Sequence, residues 1–138
     1  MIKIHCKYDE LVVPGKLKSH PKNRNKHSDA QIEKLGELYK THGMRHPIVV
    51  SNLSGFIVAG HARRSAAIIA GLKKVPVVYQ DFESKEQEYL FIQSDNNISL
   101  WSELDFTGMR LDMKEFKLDM NLLAIKDFED MFAPPPTT

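Results

Sequence analysis

Short β-branched runs alternate along the chain with segments of helical periodicity. Four runs rich in Val and Ile predict strands at residues 11–13, 47–50, 56–59 and 75–79. Turn-forming residues at 52–55 separate the second and third runs, which predicts a β-hairpin. Pro76 in the fourth run favours an edge strand or an irregular position. The pattern as a whole predicts an α+β fold, with a small mixed sheet flanked by helices.

A capping box predicts the first helix. Ser28 is the expected N-cap and Gln31 lies three residues later. The helix should run over residues 29–42, because Gly43 suits the left-handed position that follows a last helical turn. One apolar stripe of this helix should face the core, and it comprises Ile32, Leu35, Leu38 and Tyr39.

Two further helices follow the hairpin and the fourth strand. One begins after Gly60 and stops at Gly71, with a core-facing set made of Ala66, Ile69 and Ala70. The other begins at a second capping box, Ser84 with Gln87, and runs to about residues 95–97. Its apolar residues are Tyr89, Leu90 and Ile92.

The end of the chain is expected to add an acidic helical segment. Ser102 is the predicted N-cap of a helix that contains Leu104 and Leu111. Beyond it lie apolar residues that need a core, namely Leu122, Leu123, Phe128 and Phe132. The predicted organisation is an α/β core over 1–82, an acidic helical segment of the same domain over 83–132, and a proline-rich tail over 133–138.

Composition narrows the class of protein. A chain of 138 residues fits one compact domain. Cys6 is the only cysteine, which excludes an intrachain disulfide and a Cys-rich zinc site. No apolar run approaches the ~20 residues that span a bilayer, and the first residues lack the apolar stretch of a signal peptide. We therefore expect a cytoplasmic protein.

The net charge of +1 conceals two halves of opposite sign. Residues 1–80 carry 14 Lys and Arg against 5 Asp and Glu, whereas residues 81–138 carry 5 against 13. All six histidines also lie in the first half. This asymmetry favours a half that binds anions or nucleic acid, although a solvated surface of mixed charge is the alternative.

The junction over residues 58–64 is the strongest candidate site. A strand ends, Gly60 permits close approach, and a helix begins whose free N–H groups are reinforced by Arg63 and Arg64. Cations oppose the dipole in a first helical turn, which suggests that an anion such as phosphate compensates them. The alternative is that both arginines pair with the acidic half.

Two weaker candidates accompany the junction. One is the polar, basic loop over residues 23–28 together with Arg45 and His46, which either binds phosphate or is simply solvated. The other is the run over residues 94–97, in which Asp95 and its amide neighbours hold a metal ion or ribose, or else cap a helix. His42 and His46 do not share a helix, so a zinc pair is not expected.

Taken in order, these motifs resemble the ParB/sulfiredoxin-like domain family. The matching stretch runs from about residue 11 to 81 and contains Asn23-x-Asn25-x-His27-Ser28, Gly43-x-x-x-Pro47-Ile48-x-Val50 and Ile57-Val58-Ala59-Gly60-His61-Ala62-Arg63. Gly60-His61-x-Arg63, together with Ser94-Asp95-Asn96, resembles a subgroup of phages and mobile elements that is often fused to DNA methyltransferases.

The resemblance implies a site for a nucleoside triphosphate, CTP or ATP. Partitioning members of the family bind it at a Gly-Glu-Arg-Arg box, which here is the segment from Gly60 to Arg63, with Arg64 beside it. The turn over residues 43–47 matches a second phosphate-contacting segment. Mg²⁺ is implied at the position of a Glu-Asn motif, occupied here by Asp95, Asn96 and Asn97. Sulfiredoxin chemistry is excluded, because its cysteine position holds His61.

Several functions stay open at this point. The leading hypothesis is a DNA-associated nucleotide-binding module, with NTP hydrolysis undecided. The alternatives are a metal-dependent DNA nuclease that uses Asp95, a DNA-targeting module for a methyltransferase, and a serine kinase as a minor one. Ligand-dependent homodimerisation is also open.

Overall fold

The structure is a computed structural model, and it describes residues 1–125. The predicted tail over residues 133–138 and the two phenylalanines Phe128 and Phe132 lie outside this range. The contacts within the chain divide it into two compact units. One spans Met1–Trp101 and the other begins at Ser102. No helix among the described residues is long and apolar enough to cross a bilayer.

The first unit is built on a four-stranded mixed sheet, as the sequence predicts. Its strands are β1 (Glu10–Val12), β2 (Ile48–Ser51), β3 (Ile57–Ala59) and β4 (Val75–Gln80), in the spatial order β1-β4-β2-β3. The β2–β4 pair is parallel, and the β1–β4 and β2–β3 pairs are antiparallel. The predicted hairpin is therefore present as β2 and β3.

Four α-helices accompany the sheet among the described residues. They are α1 (Asp29–His42), α2 (His61–Ala70), α3 (Lys85–Ile98) and α4 (Phe106–Glu115). The first three lie in the unit that contains the sheet, and α4 lies in the second unit. With the mixed sheet, they confirm the α+β fold.

Of the two positions expected for Pro76, the edge strand is wrong for β4 as a whole, because β4 lies between β1 and β2. The proline is tolerated there because the ladder with β2 begins one residue later, at Val77 opposite Ile48. Its missing N–H therefore falls outside that ladder.

The core lies between the sheet and the helices α1 and α2. Its fully buried members include Met44, Ile48, Ile57, Ala66 and Val77. The helices α1 and α2 approach closely, because a Cβ at Gly36 would lie only 3.3 Å from the carbonyl oxygen of Ala66. Three members of the stripe predicted for α1 reach the core, with Tyr39 buried and Ile32 and Leu35 packed against it, and Leu38 is half-buried.

The buried faces of α2 and α3 differ from the sequence prediction. Ile69 is 56% exposed, and the neighbouring Ala67 takes the buried place beside Ala66. On α3, Tyr89 and Leu90 are exposed, whereas Glu88 and Ile92 are buried. The reason is that Glu88 finds two polar partners, Ser51 and His20. A charged residue therefore occupies a buried position for which helical periodicity predicts an apolar one.

The start of α4 also differs. Its N-cap is Asp105, whose Oδ1 accepts from the backbone N–H of Gly108 at 2.8 Å, and Ser102 lies three residues before it. A side chain at Gly108 would meet the Asp105 carboxylate, so the glycine makes room for the cap. Leu104, expected in this helix, lies before its start, and Leu111 lies within it; they are 62% and 65% exposed.

Gly43 ends α1 and seats the N-terminal segment against it. Its φ of 76° and ψ of 175° form a conformation reserved for glycine. The next residue, Met44, exchanges backbone hydrogen bonds with Lys3 and His5. A Cβ at Gly43 would lie 2.6 Å from the Lys3 carbonyl oxygen, so both the conformation and the packing require glycine.

We predict that Gly43→Ala destabilises the chain far more than Gly55→Ala. Both glycines have a positive φ, 76° and 78°, but nothing lies within 4 Å of a Cβ at Gly55. Gly55→Ala should cost about 1 kcal/mol of backbone strain, and Gly43→Ala about 3 kcal/mol from strain and overlap together. Urea unfolding of both variants measures the difference. Equal losses would contradict the packing role of Gly43.

Candidate functional site

The junction between β3 and α2 is an uncapped helix start. Gly60 is the N-cap, with a left-handed φ of 99° and ψ of 28°. No side chain caps the first turn, and no acidic residue lies in it. The backbone N–H groups of this turn therefore keep their full partial positive charge, an arrangement that attracts anions.

Glycine is required at this position for packing as well as conformation. A Cβ at Gly60 would lie 3.2 Å from Cδ of Arg63 and 3.4 Å from Cα of Ile48. The chain thus crosses β2 at close range before it enters α2. A larger residue would push the first turn of α2 away from the sheet.

The two arginines of this turn are held by backbone carbonyls. Arg63 Nη1 donates to the Pro47 oxygen at 2.6 Å, and Arg64 Nε donates to the Pro14 oxygen at 2.9 Å. Neither forms an ion pair with an acidic residue among the described residues. A guanidinium carries five N–H donors, so each arginine is positioned by one bond and keeps others for a ligand.

The turn before β2 borders the junction through Pro47, the acceptor of Arg63. Within this turn, Arg45 is exposed and its Nε donates to the His42 oxygen at 3.0 Å. His46 is also exposed. Of the predicted phosphate-contacting turn over residues 43–47, the structure therefore places Pro47 in direct contact with Arg63.

His61 serves the fold at this junction. Its Nε2 accepts from the backbone N–H of His20 at 3.2 Å, which leaves the ring proton on Nδ1. Burial is the largest cause that lowers the pKa of His61, from 6.5 to about 4. Charges on three neighbours lower it further, those of His20, His27 and Arg64. His61 is therefore neutral near pH 7.

Arg63 also influences two weaker acids nearby. Burial raises the pKa of Tyr39 to about 12, against the opposing charge of Arg63. Burial likewise raises the pKa of the Cys6 thiol, again opposed by Arg63. Cys6 is thus a protonated, partly buried side chain and not an activated nucleophile.

A buried polar network adjoins the junction, and sequence reasoning missed it. Glu88 of α3 is 2% exposed; its Oε2 accepts from Ser51 Oγ at 2.5 Å, and its Oε1 lies 2.9 Å from Nε2 of His20. The same His20 donates its backbone N–H to His61. The network thereby joins β2, α3 and the start of α2. A Glu in the first turn of a helix gives no sequence signal of burial.

The loop between β1 and α1, residues 13–28, fills the space between these elements and carries three predicted site residues. Asn25 Nδ2 donates to Asn96 Oδ1 of α3 at 3.4 Å. Asn23 Oδ1 accepts from the backbone N–H of Asn25 at 3.3 Å. His27 Nδ1 donates to Gln31 Oε1 at 2.9 Å, at the start of α1. Two predicted residues from distant positions, Asn25 and Asn96, are thus brought together.

Asp95 and Asn97 lie apart from that contact. Both line a surface groove of about 740 Å³ along α3, whose other lining residues include Leu90, Ile98 and Trp101. Asp95 is exposed. Among residues 1–125, no group of three or more His, Cys, Asp or Glu side chains is arranged to hold a metal ion.

Comparisons with known proteins find a matching family and a similar curated protein. The family model of the ParB N-terminal domain matches residues 10–96. A nucleoid occlusion protein of Bacillus cytotoxicus is 31% identical over 87 residues, which is 61% of this chain and 30% of that protein. The chain therefore spans less than a third of the length of this curated relative.

Three solved structures share the fold. C-terminally truncated ParB of Caulobacter crescentus, complexed with CTP-γ-S, aligns with a TM-score of 0.65 at 22% identity over 83% of this chain and 68% of that one. The same protein complexed to the centromeric parS site gives 0.54 at 20% identity, over 91% and 77%. A Pnob8-like ParB-N domain gives 0.51 at 22% identity, over 63% and 36%.

We predict that Glu88→Ala costs about 3 kcal/mol of stability, because it strands the buried partners Ser51 and His20. Glu86→Ala is the matched control, since Glu86 lies in the same first turn of α3 but is exposed. It should cost less than about 0.5 kcal/mol. Thermal and urea unfolding measure both variants. A loss at Glu88 no larger than at Glu86 would refute the network.

Acidification from pH 6.5 to about 4 is expected to destabilise the chain through His61. In that window the unfolded chain takes up a proton at His61 that the folded chain does not. The free energy of unfolding therefore decreases as the pH is lowered, and it levels off below about pH 4. His61→Gln retains an acceptor for the His20 N–H but does not titrate. Urea unfolding across the window should show a weaker pH dependence for this variant, and an unchanged dependence would contradict the assignment.

Proposed function

Because the chain belongs to the ParB N-terminal domain family, we propose that it is a DNA-associated module that binds a nucleoside triphosphate at the start of α2. The solved neighbour complexed with CTP-γ-S and the one complexed to parS support the two parts of this proposal. The chain covers only part of its curated relative, so the proposal concerns this domain and not a longer assembly.

One observation carries the nucleotide part. The first turn of α2 has a glycine N-cap, no side-chain cap and no acid, and two arginines flank it. Phosphate oxygens would accept from the backbone N–H groups of His61, Ala62 and Arg63. The free donors of both guanidinium groups would complete the shell.

Neighbouring segments would complete the pocket. Gly43, Arg45, His46 and Pro47 would form its second wall, since Pro47 already contacts Arg63. On the other side, Asn23, Asn25 and His27 would position the β1–α1 loop, which Asn96 holds on α3. Because His61 is neutral near pH 7, its role is to hold His20 and to donate from Nδ1.

Magnesium at Asp95 and Asn96 stays a prediction. The two side chains do not converge, because Asp95 lines the α3 groove while Asn96 contacts Asn25. They therefore do not fit a magnesium site by themselves. The proposal assigns phosphate binding to the helix start and the arginines alone.

Other expectations also stay predictions. They are the identity of the base, CTP or ATP, NTP hydrolysis, the nuclease alternative with Asp95, and the role of Asn97. The same holds for the phage subgroup, the methyltransferase partner and ligand-dependent homodimerisation.

Isothermal titration with CTP, ATP, GTP and ADP in magnesium buffer tests the nucleotide part directly. We expect at least one nucleotide to bind with a dissociation constant below the millimolar range. Absence of such binding for all four would refute the proposed function.

An added carboxylate in the first turn of α2 should weaken nucleotide binding. Ala62→Glu places a carboxylate in the first turn of α2, where it competes with phosphate yet suits the helix dipole. We expect nucleotide affinity to fall about tenfold or more, with helix content unchanged. The matched control is Ala30→Glu, the same substitution in the first turn of α1 at an exposed residue. Equal titrations for the two variants would place the ligand elsewhere.

A further inference from the structure

The β1–α1 loop displays its positive charges on every second residue. Over positions 16–26 the even-numbered residues are cations, apart from His20, which turns inward to Glu88. Among the odd-numbered ones, Leu17 is buried and Asn25 binds Asn96. The segment is not one extended strand, because Lys16 ends a 3₁₀ helix over Pro14–Lys16 and the Asn23 N–H donates to the His20 oxygen at 3.0 Å, but its lysines and its arginine are all exposed. We call this exposed set the cationic ribbon: Lys16, Lys18, Lys22, Arg24 and Lys26.

The backbone of the cationic ribbon is held in place along its length. The Ile57 N–H donates to the Lys18 oxygen at 2.9 Å, so this part lies beside β3. Gln93 Nε2 of α3 donates to the Lys22 oxygen at 2.9 Å. The charges are therefore presented by an anchored segment, which lowers the ordering cost of binding.

The charges of the cationic ribbon are not neutralised within the described chain. No Asp or Glu occurs between Glu10 and Asp29. The ion pairs among the described residues join His20 to Glu88 and Lys34 to Glu37, and neither uses a ribbon residue. Like charges crowded without counter-charges repel one another, so a polyanion that binds them gains from relieving that repulsion.

We propose that the cationic ribbon is a sequence-independent contact surface for the phosphate backbone of duplex DNA. The proposal rests on the proposed DNA association and names the surface responsible for it. It is separate from the α2 junction, because none of the five side chains is among those assigned to the nucleotide.

Duplex DNA fits this surface better than an acidic protein does. The segment over residues 16–26 spans at most about 35 Å, a length along which a duplex presents about 20 phosphate charges. Lysine predominates over arginine in the ribbon, and lysine binds phosphate as a flexible point charge without reading bases. An acid-free surface of this kind also lacks the mixed charges that set register between two proteins.

A pair of triple variants with equal charge change tests the proposal. The ribbon variant combines Lys22→Gln, Arg24→Gln and Lys26→Gln. The control combines Lys40→Gln, Lys73→Gln and Lys74→Gln, three exposed lysines that line a different pocket. Fluorescence anisotropy with a short mixed-sequence duplex over a series of salt concentrations gives the affinity and its salt dependence for each protein.

We expect the ribbon variant to lose about tenfold or more in affinity, and its slope of log affinity against log salt to become shallower by about 2–3, while the control stays close to the unmodified chain. Equal losses in both variants would overturn the proposal, because net charge alone would then explain them. An unchanged slope in the ribbon variant would also overturn it. So would a ribbon variant that loses affinity for an acidic polypeptide such as polyglutamate but keeps its affinity for the duplex.

The outcomes separate this proposal from the proposed function. If the unmodified chain binds no duplex even at low salt, DNA association fails and the ribbon assignment fails with it. If duplex binding persists in the ribbon variant, DNA association stands and only its location is wrong.

Discussion

The carboxylate of Glu88 is the contact on which the arrangement around α2 and α3 depends. A buried carboxylate is costly unless it is fully partnered, and this one is bound by Ser51 Oγ and faced by the His20 ring. The helix α3 therefore lies on the sheet only where β2 offers the hydroxyl and the β1–α1 loop offers the imidazole. One side chain thereby fixes the relative positions of three elements.

His20 extends this constraint to the junction. Its side chain serves Glu88, and its backbone N–H serves His61 in the first turn of α2. The uncapped helix start is therefore two hydrogen bonds away from the carboxylate that seats α3. The arginines are held in place as well, because Arg63 donates to the Pro47 oxygen and Arg64 donates to the Pro14 oxygen. A site of this kind is assembled before a ligand arrives.

The helices and strands were predictable because their signals are local in sequence. The candidate site was only partly predictable, because it depends on polar contacts between residues far apart in sequence. The bounds of α1 followed from Ser28 and Gly43, because caps are encoded within a few residues. Gly60 and its helix start were predictable for the same reason. The burial of Glu88 was not, since its partners lie 37 and 68 residues away. Nor was the bond from Arg63 to the oxygen of Pro47, because a carbonyl acceptor leaves no mark in sequence.

The groove along α3 is lined in part by the only tryptophan of the chain, Trp101, which is 82% exposed. A solvated indole emits at long wavelength, and covering it shifts the emission to the blue. Because no second tryptophan contributes, the intrinsic fluorescence of the chain is a single-site optical probe. It reports on the surroundings of the α3 groove without a label or a substitution.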